Sequence, residues 1–359
     1  MSWTMDRRRA LGASVATVAG LALPGRARAE GPLKAGWVYV GPVGDYGYSY
    51  QHDQGRLAAQ SHFGDKIQTS FVENVSEGPD AERVIRQLAT TGNDIVFATS
   101  FGFMNGVEKV ARSLPAKKFE HATGYKRLAN LATYDARFYE GRAVIGTIAG
   151  HLTKTKKIGY IGSFPIPEVV QGINSFTLAM QKVNPEATVS VIWVNSWYDP
   201  GKEADAAKAH FDQGADIIVQ HTDSPAALQV AEQRGLMGFG QSSDMRKFAP
   251  NCQLSAIVDN WSAYYIRRLG QVMDGSWTSG AVWMGLDTGN VEIAPYGPKV
   301  TPEAASAADQ IKGAIIAKKL HPFTGPIVDQ KGTQHAAAGE TLSDEALSKM
   351  DWYVPGVHA

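Results

Sequence analysis

One pattern occurs twice along this chain, and that constrains its fold more than any other feature. Residues 34–40, 68–73 and 94–98 are short strand-like runs, and they alternate with stretches of helical character at 50–61, 80–88 and 104–111. In the second of these stretches Ala81, Val84, Ile85 and Leu88 fall at helical spacing. The order then restarts. Strand-like runs at 157–162, 188–194, 215–220 and 235–240 are separated by helical stretches at 167–181, 202–213 and 225–234. Short apolar runs that alternate with helices argue for parallel βαβ units, because both faces of such a sheet are covered. The chain therefore predicts an α/β protein of two doubly wound, Rossmann-like lobes, and its 359 residues suit about two domains. Beyond 255 the pattern loosens to a helix at 262–273 and a strand at 291–294. A tail rich in Gly, Pro and Ala is expected to wrap both lobes. No low-complexity linker separates the halves, so several chain crossings and a hinge are expected.

The first 29 residues read differently. Arg7, Arg8 and Arg9 precede an uncharged run of small and apolar residues to Leu23, and Ala27-Arg28-Ala29 forms a small-residue cleavage site. That is the pattern of an export signal cut before Glu30, and the paired arginines also suit twin-arginine export. The apolar run is too short to span a bilayer. The chain carries 35 basic and 35 acidic residues. Removing the segment, with its five arginines and one aspartate, leaves 30 against 34, or −4. A chain without basic excess is a poor match for nucleic acid. Cys252 stands alone, which leaves no intramolecular disulfide and no thiolate metal pattern.

Catalytic signatures are weak. The glycines after the first strand are spaced Gly41-x-x-Gly44-x-x-Gly47, not as a dinucleotide fingerprint, and no Walker, H-E-x-x-H or G-x-S-x-G motif is present. His121 and His221 fall near strand ends but read as solvated or core histidines. What the strand ends carry is more telling, since ligands of doubly wound sheets bind just beyond them. The first lobe offers Asp45, Tyr46 and Tyr48, then Ser100, Phe101 and Phe103. The second offers Ser163, Phe164 and Ile166, then Ser196, Trp197 and Tyr198, then His221 and Asp223, then Ser242 and Asp244. Aromatic rings from opposite lobes suit a flat heteroaromatic ligand, and carboxylates and hydroxyls suit its N–H edge.

Several stretches carry a family resemblance. Gly44-Asp45-Tyr46-Gly47-Tyr48-Ser49-Tyr50, the run from Gly159 to Pro167, Val194 to Lys202, Phe211 to Asp216 and Gly240 to Met245 resemble the BMP (basic membrane protein) family. These are substrate-binding proteins of ABC transporters, similar to PnrA-type nucleoside receptors. The end of the chain, 322–327 with 350–353, resembles one proteobacterial branch. The resemblance implies a type I periplasmic-binding fold, with two lobes, three crossings and a ligand cleft. It also implies an inner-membrane ABC permease as partner, a periplasmic location, a monomer, no cofactor and no enzymatic activity.

The departures from the family bear on the ligand. Ser49 stands where the nucleoside receptors carry asparagine, Ser242 replaces an aspartate, and residues 255–261 lack the usual lysine. In those receptors such an Asp and Lys are associated with the sugar hydroxyls. The sequence thus points to a purine nucleobase, adenine before others. Tyr48 and Trp197 are expected to stack, Phe101 and Phe164 to wall the pocket, and Asp223 and Asp244 to accept N–H groups. Ser100, Ser163 and Asn174 are further polar contacts. A purine nucleoside, with Asp45 and Glu140 at the sugar, is the alternative, followed by another flat metabolite such as a flavin. An exported nucleoside hydrolase is a more distant one, because its calcium site needs clustered aspartates that the chain lacks. The expected division is a signal at 1–29, an N-terminal lobe at 30–153 completed by about 259–285, a C-terminal lobe at 154–258 completed by about 286–330, and a packing tail at 331–359.

Overall fold

The computed structural model describes residues 31–44 and 46–359, so the expected export segment and Asp45 lie outside the described residues. The first half runs β1 (Leu33–Val38), α1 (Gly47–Phe63), β2 (Ile67–Val72), α2 (Pro79–Thr90), β3 (Ile95–Ala98), α3 (Met104–Ser113), β4 (Lys118–Ala122) and β5 (Leu131–Ala136). The second half opens with α4 (Phe138–Leu152). It continues through β6 (Lys157–Gly162), α5 (Pro167–Val183), β7 (Thr188–Trp193), α6 (Pro200–Asp212), β8 (Ile217–His221), α7 (Ala226–Arg234), β9 (Met237–Gly240) and β10 (Gln253–Asp259). Then come α8 (Ser262–Asp274), β11 (Ala281–Met284), β12 (Val291–Ile293) and α9 (Pro302–Ile316). The tail adds β13 (Ile327–Val328), β14 (Gln334–Ala336), α10 (Asp344–Leu347) and β15 (Val357–His358).

Two large sheets result, and their strand orders match. The first is β2-β1-β3-β4-β5-β11, parallel throughout. The second is β7-β6-β8-β9-β10, parallel, with β12 antiparallel beyond β10 and β15 parallel beyond β7. Each sheet has the order 2-1-3-4-5 of a doubly wound fold, so each reverses direction beside its own first strand. The chain passes between the sheets at 136–138, 259–262 and 284–291, since α4 packs on α5 and β10, and α8 packs on α1.

Burial explains the elements. In α2, Ala81, Val84, Ile85, Leu88 and Ala89 form the buried face, and a proline stands in the first turn, where no N–H is missed. β3 is buried at every position, as a central parallel strand must be. In the first sheet Trp37 stacks on Phe97 at 4.6 Å, and Tyr265 of α8 meets both rings edge-on. α4 is buried almost all round. It lies against α5 so closely that a Cβ on Gly146 would sit 2.4 Å from the Phe176 carbonyl oxygen.

Some elements depart from the expectations. α1 starts at Gly47 rather than residue 50. α4, α9, β4, β5 and β11 were not anticipated. α4 lacks the polar face that makes a helical period visible. β4 hides Glu120 and His121 in its buried part, and the Glu120 carboxylate is held there by Arg268 Nε at 2.5 Å, Tyr264 Oη at 2.5 Å and Trp277 Nε1 at 2.7 Å.

Candidate functional site

The two direction reversals leave crevices beyond β1 and β3 of one sheet and beyond β6 and β8 of the other. Between them lies a cleft whose non-atom space, counted together with the solvent open at its mouth, is about 370 Å³. The first sheet supplies Val40 after β1, Tyr48 in the first turn of α1, Ser100 and Phe101 after β3, and Thr123 after β4. The second half supplies Phe138 and Glu168 from the first turns of α4 and α5. It also supplies Trp197 after β7, His221 and Asp223 at the end of β8, and Gln241 after β9. Every wall residue thus sits at or just beyond a strand's carboxyl end, or where the following helix begins.

The walls are apolar with buried acids set into them. Glu168 Oε1 lies 3.2 Å from His221 Nε2, while Glu168 Oε2 and the Tyr48 hydroxyl are buried without a partner. Burial pushes the Glu168 carboxyl up to about 8, and Arg142 opposes the rise only in part. Burial first, then Arg142, holds His221 well below the usual imidazole range, so it is neutral at pH 7. Asp223 is raised well above the carboxylate range by burial, with the fields of Glu203 and Glu168 adding to it. Burial also raises the Tyr48 hydroxyl, which stays un-ionised.

The mouth is clasped from both sides. Glu77 Oε1 accepts from Ser100 Oγ at 2.6 Å, from Gly102 N at 3.2 Å and from Trp197 Nε1 at 2.9 Å, so one carboxylate holds the β3 loop of one sheet and the β7 loop of the other. Nearby, Gly47 N donates to Ser243 Oγ at 2.9 Å, and that hydroxyl donates back to Gly47 O at 3.1 Å. Gly47 has φ 82°, and a Cβ there would lie 2.3 Å from the Asp223 carbonyl oxygen. A side chain would wedge the two halves apart.

The anticipated residues separate into groups. Tyr48, Ser100, Phe101, Trp197 and Asp223 line the cavity together. Phe164 is not in the wall but packs on Trp197 with ring centroids 5.1 Å apart. Ser163 is fully buried, with its hydroxyl unpartnered and off the wall. Three are taken up elsewhere. Asp244 is paired with Arg246 and accepts from Gln253 at 2.8 Å. Asn174 donates to Trp352 O at 2.8 Å and accepts from Val354 N at 3.0 Å, fastening the tail. Glu140 accepts from Leu286 N at 2.8 Å. Glu168, Phe138, Gln241 and Glu77 lie outside the sequence expectations, and His221, expected as a solvated or core histidine, stands in the wall. An acid in a helix's first turn is ordinary complementation of the dipole, which is why Glu168 gave no signal.

Two facing switch-point crevices around a cavity define the class by fold: an α/β protein of the periplasmic-binding type. Solved ABC transporter solute-binding proteins share the fold. One from Aeropyrum pernix matches with a TM-score of 0.70 at 16% identity over 81% of this chain and 93% of its own. Another from Conexibacter woesei matches with 0.63 at 19% identity over 80% and 98%. The chain belongs to the Bmp family, ABC transporter substrate-binding proteins of the PnrA-like kind, whose model matches residues 33–331. A purine-binding protein of Brucella abortus is 54% identical over 343 residues, 96% of this chain and 98% of its own. A Haloferax volcanii protein whose name assigns it to glucose binding in an ABC transporter is 37% identical over 90% of this chain and 80% of its own.

Proposed function

We propose that this protein captures a purine base, adenine before others, and hands it to an ABC importer. The observation that carries the reading is the meeting, in one cavity, of aromatic side chains from both halves (Tyr48, Phe101, Phe138, Trp197) with two buried acids, Glu168 and Asp223. Rings on opposite walls suit a flat π system, and the acids suit its polar edge. The purine-binding relative supports the ligand class. The relative named for a sugar means that family alone does not choose the ligand, and the ring content of this cavity favours the purine.

In this reading residues 30–137 with about 259–285 form one lobe and 138–258 with about 286–330 the other, the boundary falling at the first crossing rather than at the expected 153 because α4 packs on α5 and β10, and 331–359 form a tail fastened to α5 and β7. The lobes close on the base by a hinge at the three crossings. The protein acts as an exported monomer, freed of residues 1–29 and working in the periplasm. No chemistry is done on the ligand.

A purine nucleoside is the second reading. It has one observation in its favour: a wider groove shares Phe101, Thr123 and Glu168 with the cavity and gives a substituent somewhere to go. Against it, Glu140, expected at the sugar, is bound to the Leu286 backbone. Mass spectrometry of small molecules released by denaturing the freshly purified protein tests the reading. A free purine base is the expected species, whereas a non-aromatic solute in stoichiometric amount would overturn it.

A further inference from the structure

The cavity holds more acid than its surroundings can neutralise. Glu168 and Asp223 line it, Asp135 lines the adjoining groove beside Glu168, and Asp259 is fully buried behind them. The field of Glu168 reaches the other three carboxyls. Facing them is one buried guanidinium, Arg142 of α4, which is fully enclosed and donates from Nη2 to Gln220 O at 3.0 Å and to Gln241 Oε1. Arg137, the other arginine nearby, is committed to Asp344 through two hydrogen bonds of 2.8 and 2.7 Å. Tyr48 of α1 and Tyr160 of β6, the remaining titratable groups toward Glu168, stay neutral. Four carboxyls so close together, with one enclosed guanidinium among them and Arg137 easing only Asp135, cannot all be ionised, because burying unpaired like charges is costly.

Among these acids Glu168 is the one in the wall with a fixed orientation and an idle oxygen. Neutral His221 can donate Nε2–H to Oε1, which leaves the unpartnered Oε2 to carry the proton. We propose that Glu168 reads the ligand as a carboxylic acid, selecting a planar base whose edge sets one N–H beside one lone pair. In this arrangement Oε2–H donates to a ring nitrogen and Oε1 accepts from the adjacent amino group, as the N6–H/N1 or N6–H/N7 edge of a 6-aminopurine allows. Guanine can meet the acid only by turning its N1–H/O6 or N2–H/N3 edge to it, whereas its N1–H and N2–H pair, two donors, becomes the better match once the carboxyl is ionised, and adenine has no such pair. This inference deepens the purine reading and rests on it.

Calorimetric titration of adenine and guanine into the ligand-stripped protein at pH 6 to 9 tests it, using wild type, Glu168→Gln and Glu168→Ala. Binding that needs the protonated acid is constant at low pH and falls as pH rises through the carboxyl's value, approaching tenfold per unit. Wild-type adenine affinity is therefore expected to hold to about pH 7 and to drop above about pH 8, where the ratio of guanine to adenine affinity rises. Glu168→Gln keeps a donor beside an acceptor. It should bind adenine within about threefold of wild type at pH 7 and lose the decline, which also controls for titration of adenine itself. Glu168→Ala should lose about thirtyfold or more. Circular dichroism melts of both variants separate loss of binding from loss of fold. Adenine binding that is flat with pH, with Gln as damaging as Ala, would show that Glu168 acts as a carboxylate. Binding untouched in Glu168→Ala would show that it does not meet the ligand. Either result overturns this inference and leaves the purine reading standing, whereas a wild type that binds no purine at any pH removes both.

Discussion

Trp197 shows how a residue's role depends on both ends of its side chain. Its ring lines the cavity with Phe164 behind it, and its N–H is held by Glu77 across the mouth. A stacking partner so placed contributes through contact with the ligand and through closure of the cleft. Trp197→Ala is expected to weaken base binding by about tenfold or more, whereas Glu77→Gln, which keeps the ring but loosens its tether, should cost less and act mainly on the dissociation rate. Stopped-flow binding of adenine to the two variants checks the ordering, and a larger effect from Glu77→Gln would contradict it. Tyr48, Phe101, Trp197 and Asp223 were legible in the sequence because the strand pattern locates carboxyl ends and those ends face ligands. Asp244 and Asn174 had the same chemistry but different company. Arg246, two residues on, pairs with Asp244, and the tail, 178 residues beyond Asn174, takes up its amide. A partner that distant leaves no local trace.

Among the elements, the repeated strand and helix pattern was legible wherever helices have one buried face and strands are short apolar runs. α4 escaped because a helix buried almost all round has no period, and β4 because its charged Glu120 is satisfied by α8 and the turn after it. α4 is also the element that carries the chain from the first sheet into the second half, and its small residues set how near α5 can lie. Overpacking a contact that is already backbone against backbone typically costs about 1–3 kcal/mol. Gly146→Ala should therefore lower the thermal midpoint measurably, without altering which base is bound if the fold survives. A midpoint equal to wild type would mean that α4 and α5 separate more easily than their spacing indicates.

For the molecule as a whole, the sequence announced duplication, and the structure shows two sheets of the same strand order with their switch points opposed. Several crossings follow from the lack of a linker between the halves, but their number, three, only from family resemblance, because nothing in local composition marks where β11 rejoins the first sheet or β12 the second. That opposition gives the protein its function in this account: neither sheet alone encloses a ligand, and the cavity exists because each contributes loops and rings to one space, the second half adding both acids, Glu168 and Asp223. The central claim is that the space is shaped for a free purine base. Isothermal titration of the stripped protein with adenine and then with adenosine tests it most directly. Tight, stoichiometric adenine binding with adenosine weaker by at least tenfold is the predicted result. Adenosine binding as tightly as adenine, or better, would contradict it and move the sugar into the groove beside Glu168.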